Sequence, residues 1–325
     1  MGGPARPGGG RDDVSEQQTG MLRRLRRALD PGAAGSRPVT LEDLAARLDR
    51  LEDAIDELSP NIKMIPSLVR RLYLDGLELP PPYDLTSQRF RVSSQNEEDG
   101  VVAAIFRRLG ATDHRCVEIG YGMNGGNSGF LIRDCGWSGL LMDAKAHAIK
   151  TVRRRFAGHA AVAHKGRATC ENLNALLEQY GFTGELDLLS IDVDGVDYWL
   201  WKALTACRPR VVTIEYNWLF GAERAVTVPY DPRFDLGKAP TRGYRGASLP
   251  ALVHLGRYKG YHLVATERVN AFFVRNDLQP AIAEVDAARA CRAPVNQPSG
   301  QGDVFQKIEA AGLPLVTVTG PGAEA

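Results

Sequence analysis

Cys116-Val-Glu-Ile-Gly-Tyr-Gly-Met-Asn-Gly-Gly-Asn-Ser128 is the stretch that decides the fold, together with Leu140-Leu-Met-Asp143 further along the chain. The pattern is that of an apolar strand, a glycine-rich turn, the start of a helix and a second apolar strand ending in a carboxylate. Gly120 and Gly122 carry no Cβ, so we expect the backbone to approach a ligand closely there. Asp143 can accept hydrogen bonds from both hydroxyls of a ribose. The stretch therefore predicts a site for a cofactor that contains a nucleoside.

Two cofactors fit this stretch, NAD and S-adenosylmethionine. Gly120-x-Gly122-x-x-Gly125 matches the dinucleotide fingerprint, in which the helix starts at the second glycine and faces the pyrophosphate. Residues 123–128 are too glycine-rich for a first helical turn, and we predict that the helix starts near Asn127 or Ser128. We expect Glu118 to point into the crevice, where it would repel a diphosphate and hold a cationic amino group. The stretch favours S-adenosylmethionine, and NAD is the alternative.

Length and composition restrict the class of protein. The chain has 325 residues, enough for one large α/β domain with appendages. Its formal charge of +1 predicts no binding to nucleic acid. No apolar run approaches the ~20 residues of a membrane helix, and the N-terminus lacks the apolar segment of a secretory signal, so no stable membrane insertion is expected. The five cysteines form no CxxC pair, which predicts a cytoplasmic protein without structural zinc.

Three segments precede the main domain. Residues 1–37 are rich in Gly, Pro and Arg and are predicted to be disordered. Residues 38–75 carry leucine or isoleucine at an unbroken spacing of three and four, which predicts a heptad helix with the character of a coiled coil. This helix predicts a homo-oligomer; the alternative is a helix that packs on its own domain. Residues 76–92 include Leu79-Pro-Pro-Pro-Tyr83 and are predicted to be a Pro-rich linker.

Strands and helices alternate over residues 93–277. Ser94-Gln-Asn-Glu97 predicts a capping box that opens a helix through Leu109. Predicted strands lie near 115–119, 138–142, 160–163, 186–193 and 210–216, with helices near 127–135, 147–156, 171–180, 197–206 and 247–259. Short continuous apolar strands are typical of a parallel sheet that is buried on both faces. The last two strands, 261–265 and 271–275, are joined by a short turn.

This order of elements predicts the fold class. Five alternating units that end in an antiparallel β-hairpin are typical of a class I methyltransferase sheet, which is Rossmann-like and doubly wound. An NAD-binding domain would more often continue with a sixth parallel unit. Residues 278–325 follow as a C-terminal extension. We therefore predict an α/β methyltransferase-type domain, preceded by the coiled-coil-like helix.

Polar side chains follow the fourth and fifth predicted strands, at the edge where such sheets bind ligands. Asp192 and Asp194 come after the fourth strand, and Glu215 and Asn217 after the fifth. One interpretation gives Asp192 to the cofactor and lets Asp194 or Glu215 act as the general base on a hydroxyl. A second assembles all four into an oxygen-only Mg²⁺ site that would acidify that hydroxyl. In a third, the carboxylates only cap the next helix.

Aromatic residues are frequent around this edge. Those of the long loop 217–246 are predicted to form a wall against the acceptor. They are Trp218, Phe220, Tyr230 and Tyr244. Tyr198, Trp199 and Trp201, on the helix before the loop, are predicted to belong mostly to the core.

Five motifs together point to one family. They are Ser94-Gln-Asn-Glu-Glu-Asp99, Val117-Glu-Ile-Gly-Tyr-Gly122, Gly136-Trp-Ser-Gly-Leu140, Thr169-Cys-Glu-Asn-Leu173 and Leu188-Leu-Ser-Ile-Asp-Val-Asp-Gly-Val-Asp-Tyr198. In these motifs residues 93–277 resemble the FkbM-type family of S-adenosylmethionine-dependent methyltransferases. The chain departs from that family in three places. Glu118 stands where Asp is more frequent, Asp194 stands where Glu is usual, and the Gly125-Gly126 pair widens the first loop.

The resemblance implies an enzyme that methylates hydroxyls of sugars, glycans or glycosylated natural products. It implies that S-adenosylmethionine is contacted by six residues, with Asn172 near the adenine. These residues are Glu118, Gly120, Gly122, Asp143, Asn172 and Asp192. The partner would be a small-molecule or glycan acceptor. The alternatives are an NAD-dependent oxidoreductase and a non-catalytic scaffold that oligomerises through the heptad helix.

Overall fold

The computed structural model describes residues 85–122, 125–291, 301–320 and 323–324. The predicted disordered segment 1–37, the heptad helix 38–75 and most of the linker 76–92 lie outside the described residues. Oligomerisation through the heptad helix therefore stays a prediction.

A seven-stranded sheet forms the centre of the described chain. The strands are, in chain order, β1 (Arg115–Ile119), β2 (Ser138–Asp143), β3 (Ala161–Lys165), β4 (Gly184–Ile191), β5 (Cys207–Glu215), the separate short strand β6 (Val226–Thr227), β7 (Tyr261–Glu267) and β8 (Asn270–Arg275). Their order in the sheet is β3-β2-β1-β4-β5-β8-β7. The first five strands run parallel to one another, whereas β8 runs antiparallel to both of its neighbours, β5 and β7.

This strand order confirms the predicted class I methyltransferase fold. The chain starts in the middle of the sheet at β1, winds outwards to β3, and then returns to build β4 and β5 on the other side. The order of strands thus reverses between β1 and β4, which is where open α/β sheets bind ligands. The C-terminal hairpin of β7 and β8 is also as predicted.

Helices cover both faces of the sheet. They are α1 (Glu98–Leu109), α2 (Gly129–Cys135), α3 (Ala146–Arg155), α4 (Leu173–Gln179), α5 (Asp197–Ala203) and α6 (Leu249–Lys259). Leu188 and Leu189 of β4 are both fully buried but belong to different cores, because successive side chains of a strand point to opposite faces. Tyr198 and Trp201 are 0% exposed and lie in the core, as predicted. Trp199, on the same helix, is only partly buried and packs against that core. Among the described helices, none combines the length and the apolar character that crossing a bilayer requires.

The start of α1 differs from the prediction. Ser94 does not form a capping box with Glu97, because the helix begins later, at Glu98. Instead the Asp99 backbone N–H donates to Oγ of Ser94 at 3.3 Å, and the Ser94 N–H donates to Oδ2 of Asp99 at 3.0 Å. The reciprocal pair therefore exists, but the carboxylate is that of Asp99, two residues further along the chain than the predicted Glu97.

The described part of the C-terminal extension packs, through residues 301–320, on the long loop that follows β5. It contains α7 (Ala287–Ala290), α8 (Gln301–Ala310), β9 (Val316–Gly320) and β10 (Ala323–Glu324). A small second sheet has the order β10-β9-β6, so the extension pairs with the loop through β6. A third core joins Val304 and Ile308 of α8 to aromatic and aliphatic side chains of the loop.

Candidate functional site

The glycine-rich loop after β1 closes over Glu118. Oε1 of Glu118 accepts a hydrogen bond from the Asn127 N–H at 2.7 Å, and Oε2 accepts from the N–H of Ser128 at 3.0 Å and from its hydroxyl. Glu118 is 1% exposed, and this burial raises its pKa to about 7 although the hydrogen bonds lower it. The prediction that Glu118 points into the crevice is therefore wrong. Its carboxylate holds the loop at the start of α2.

The structure around Gly120 differs from that around Gly122 in what a side chain would contact. Gly120 has a φ of +88°, and a Cβ there would overlap the backbone carbonyl of Asp192. The prediction that Gly120 makes room for a ligand is thus wrong, because the close approach of two chain segments requires it. Gly122 has a φ of +65°, and no heavy atom of the described residues lies within 4 Å of its Cβ position. The described residues leave the space beside Gly122 open, and its contact with a ligand stays a prediction.

The segment before α1, which contains Ser93, packs against the glycine-rich loop that follows β1. A Cβ on Gly125 would overlap the carbonyl oxygen of Ser93, and a Cβ on Gly126 would overlap the carboxylate of Glu118. Ser93 is itself held by its N–H, which donates to Oδ2 of Asp99 at 2.7 Å. The glycine pair is therefore a site of close packing between three segments. Sequence reasoning missed this role of the segment.

Asp143 lies at the carboxyl end of β2, beside the glycine-rich loop. Its Oδ2 accepts a hydrogen bond from the Gly122 N–H at 2.9 Å, and its Oδ1 accepts one from the Lys145 N–H at 2.6 Å. Each carboxylate oxygen has two acceptor positions, so each retains one for a ligand hydroxyl. A fixed carboxylate next to the open space at Gly122 fits the predicted ribose contact.

Three carboxylates gather at the ends of β4 and β5. One oxygen from each of Asp192, Asp194 and Glu215 lies within 4.8 Å of the others. The strand was expected to reach residue 193, but β4 ends at Ile191, so both aspartates lie on the following turn. Asp194 has a φ of +59°, a conformation that costs a non-glycine residue roughly 1–3 kcal/mol. The side chain of Asp194 is 48% exposed, whereas that of Glu215 is 9% exposed.

Arg245 supplies the positive charge of this cluster. Its Nη1 lies 2.6 Å from Oδ1 of Asp194, and its Nη2 lies 3.1 Å from Oε1 of Glu215. Sequence reasoning missed Arg245. The available signal was the surplus of acids at two neighbouring strand ends, since partly buried carboxylates need a cation. The loop contains several arginines, however, and its spacing does not single out this one.

Burial and mutual repulsion keep protons on this cluster. Burial raises the pKa of Glu215 to about 8 against the opposing effect of Arg245, and Asp197 and Asp194 add to the rise. Burial, and then the neighbouring Glu215, raise the pKa of Asp192 well above its usual range. An oxygen of Asp192 also lies within 4.8 Å of one of Glu215, so the two carboxyls interact directly. At neutral pH these two carboxyls therefore retain a proton between them.

Asn217 anchors the loop that carries Arg245. Its Oδ1 accepts a hydrogen bond from the Leu219 N–H at 3.1 Å, and its Nδ2 donates to the carbonyls of Gly243 and Arg245 at 2.8 and 2.9 Å. The predicted fourth metal ligand is therefore committed to the loop. The guanidinium of Arg245 contacts two of the three remaining carboxylates, so the cluster already holds a cation. The residues do not fit the predicted Mg²⁺ site.

Asn172 caps the turn before α4. Its Oδ1 accepts a hydrogen bond from the Thr169 N–H at 2.8 Å, and its Nδ2 donates to the Arg167 carbonyl at 2.9 Å. The Tyr230 hydroxyl reaches the same turn from the long loop and donates to Glu171 at 2.7 Å. The amide of Asn172 is thus used within the turn, and its contact with an adenine stays a prediction.

The predicted aromatic wall is wrong for three of its four members. Trp218, Phe220 and Tyr244 are 5%, 2% and 9% exposed, respectively. Phe220 and Tyr244 are buried because α8 packs over this part of the loop. Tyr230 is partly exposed and stays a candidate for contact with an acceptor.

Neither a family model nor a curated protein sequence matches the chain. Among solved structures, the chain is similar to the N-terminal domain of EvdMO1 in the presence of S-adenosylhomocysteine and D-fucose. The two share 16% sequence identity with a TM-score of 0.37, and the match covers 65% of this chain and 94% of that one. An O-methyltransferase from Bacillus cereus in complex with S-adenosylhomocysteine is similar at 14% identity with a TM-score of 0.38, over 69% and 96%. The fold is assigned from the strand order itself, and membership of the FkbM-type family stays a prediction.

Proposed function

We propose that the chain is an S-adenosylmethionine-dependent O-methyltransferase. The observation that carries the proposal is the presence of two half-sites on either side of the reversal in strand order. Asp143 and Gly122 form one half-site, and the acid cluster with Arg245 forms the other. The contact between Gly120 and the backbone of Asp192 joins them. Sheets with this topology bind their ligands at this edge.

The first half-site fits the nucleoside end of the cofactor. Asp143 would accept hydrogen bonds from the ribose hydroxyls, and the backbone at Gly122 would lie against the ligand. Asp192, whose backbone contacts Gly120, is the acid best placed to hold the amino group. Glu118 acts indirectly by holding the loop in shape. When bound, S-adenosylmethionine supplies a methyl group on a positively charged sulfur, which an oxygen nucleophile attacks.

We assign proton removal to Asp194. Its carboxylate is the more exposed one of the cluster, and Arg245 fixes its orientation at 2.6 Å. Glu215 is buried, and its raised pKa of about 8 keeps it protonated at neutral pH. A protonated Glu215 cannot accept a proton, but it can hold Asp192 and the guanidinium of Arg245 in place. Methyl transfer mainly requires that the acceptor oxygen be positioned and lose one proton.

The acceptor that we propose is a hydroxyl of a sugar, glycan or glycosylated natural product. The resemblance to the FkbM-type family supports this class. The second half-site agrees with it, because carboxylates accept hydrogen bonds from hydroxyls.

Calorimetric titration with S-adenosylhomocysteine, and separately with NAD, tests the cofactor. We expect micromolar binding of S-adenosylhomocysteine, about tenfold or more weaker in Asp143→Ala, because the ribose contacts are lost. The exposed Asp231→Ala is the matched control and should bind like wild type. Binding of NAD alone would identify an oxidoreductase, and binding of neither would favour the scaffold.

Transfer of a labelled methyl group to a panel of sugars and glycosides tests the reaction. Asp194→Asn should abolish turnover while the affinity for S-adenosylhomocysteine stays within about threefold of wild type, because the residue acts on the acceptor. Normal turnover in Asp194→Asn would rule this residue out as the base.

A further inference from the structure

The loop that carries Arg245 is held from its outer side by the C-terminal extension. We call residues 241–246 the Arg245 loop. The hydroxyl of Tyr244 donates a hydrogen bond to the Pro314 carbonyl at 2.7 Å. Beside it, a Cβ on Gly243 would overlap the side chain of Val304 in α8. The two residues that precede Arg245 are therefore in direct contact with the extension.

On its inner side the Arg245 loop is tied to the acid cluster. The Gly246 N–H donates to the carbonyl of Gly195 at 2.9 Å, next to Asp194. Gly246 in turn accepts hydrogen bonds through its carbonyl from the Thr227 hydroxyl at 3.2 Å and from the Val228 N–H at 3.0 Å. Both donors lie in or next to β6, which pairs with β9 of the extension. The extension is thus connected to the acid cluster in two ways. One is its direct contact with Gly243 and Tyr244, and the other is the pairing of β9 with β6.

We propose that residues 301–320 are a positioning element of the active site, which holds Arg245 between Asp194 and Glu215 through contacts with Gly243 and Tyr244. The inference rests on the proposed function for its catalytic consequence. It assigns a role to a segment that lies outside the resemblance to the methyltransferase family.

The need for such an element follows from the geometry of Arg245. A long side chain with several rotatable bonds is ordered only if its backbone is fixed, since its own conformational freedom opposes the contact. Two adjacent residues make the two kinds of contact that this requires. Arg245 binds the carboxylates of Asp194 and Glu215, and Tyr244 is buried in the third core. If the loop drifts outwards, Asp194 loses the partner that orients it.

Tyr244→Phe is the first test, because it removes one hydroxyl and keeps the buried ring. Tyr261→Phe is the matched control. The hydroxyl of Tyr261 likewise donates to a proline carbonyl, that of Pro209 at 2.6 Å, but near the beginning of β5 and away from the acid cluster. Hydrogen exchange of the Arg245 loop is measured first, without cofactor or acceptor. We expect faster exchange at Gly246 in Tyr244→Phe and no change there in Tyr261→Phe.

The kinetic test uses the full chain. Tyr244→Phe should lower kcat about fivefold, since a small displacement of an orienting group has large effects on rate, while KM for S-adenosylmethionine stays unchanged. In an Arg245→Gln background the same substitution should have no further effect on kcat, because its action passes through Arg245. Val304→Ala should reproduce the pattern of Tyr244→Phe.

Two outcomes would overturn the inference. One is unchanged exchange of the Arg245 loop in both Tyr244→Phe and Val304→Ala. The other is an effect on kcat that persists in full when Arg245 is absent. Failure of the proposed function is a separate result, because it appears as absent binding of S-adenosylhomocysteine by wild type and leaves the exchange experiment intact.

Discussion

Replacing Glu215 with glutamine should make the protein more stable at alkaline pH. Glutamine has nearly the same shape as a protonated glutamate and cannot ionise. In wild type, burial raises the pKa of Glu215 from 4.5 to about 8, and Asp192, Asp194, Asp197 and Arg245 are the charged groups around it. Ionised Glu215 is therefore unfavourable in the folded protein, and the variant avoids that state.

The sign follows from proton binding. Between pH 4.5 and about 8 the unfolded chain has lost the proton of Glu215 while the folded protein keeps it. The unfolded state then binds fewer protons, so the free energy of unfolding of wild type falls as pH rises through this window. At about 1.4 kcal/mol per pKa unit the full effect is roughly 5 kcal/mol. Asp192 shares the proton with Glu215, and we therefore expect about 2–3 kcal/mol for Glu215 alone.

Urea unfolding at a series of pH values from 5 to 9 measures this effect. Glu215→Gln should match wild type to within about 1 kcal/mol at pH 5 and exceed it by about 2–3 kcal/mol at pH 9. Glu178→Gln makes the same chemical change at an exposed position of α4 and should follow wild type throughout. Parallel curves for Glu215→Gln and wild type would refute the reasoning, because Glu215 would then titrate alike in both states.

Two further predictions concern the glycine-rich loop and the metal. Gly120→Ala should lower the free energy of unfolding by about 3 kcal/mol or more, because its Cβ would overlap the Asp192 carbonyl. Gly122→Ala should lower it by only about 1 kcal/mol, because Gly122 has a positive φ but open space at its Cβ position. Equal losses in urea unfolding would contradict this distinction. Turnover should be the same with and without a chelator, because Arg245 holds the position between the carboxylates; loss of activity that Mg²⁺ restores would show the opposite.

The sequence predicted the sheet well because each strand is defined by its own apolar run. The strand predicted at 115–119 is β1 to the residue, and α2 begins at Gly129, next to the predicted start. The hairpin followed from two apolar runs joined by a short turn. Such signals are local, so one chain is enough to read them. Asp143 was identified for the same reason, since it marks the end of such a run.

What the sequence did not reveal depends on contacts between distant segments. Glu118 looked like a ligand-facing acid because nothing local shows that Ser128 would close over it. Gly120 was predicted to leave space for a ligand, but the Asp192 carbonyl lies where its Cβ would be. Tyr244 looked like an exposed aromatic residue, because the segment that buries it lies about seventy residues away. Arg245 was missed since its partners are brought together only by the fold.

The contact between Gly120 and the backbone of Asp192 also bears on how such an enzyme can change its acceptor. Because backbone meets backbone there and leaves no room for a side chain on Gly120, the cofactor half-site cannot be changed at this point without disturbing the acid cluster. Variation is better tolerated in the part of the long loop that precedes the Arg245 loop, because it lies outside the central sheet. Libraries directed at new acceptors should therefore keep residues 118–122 and 190–195 and diversify residues 229–240.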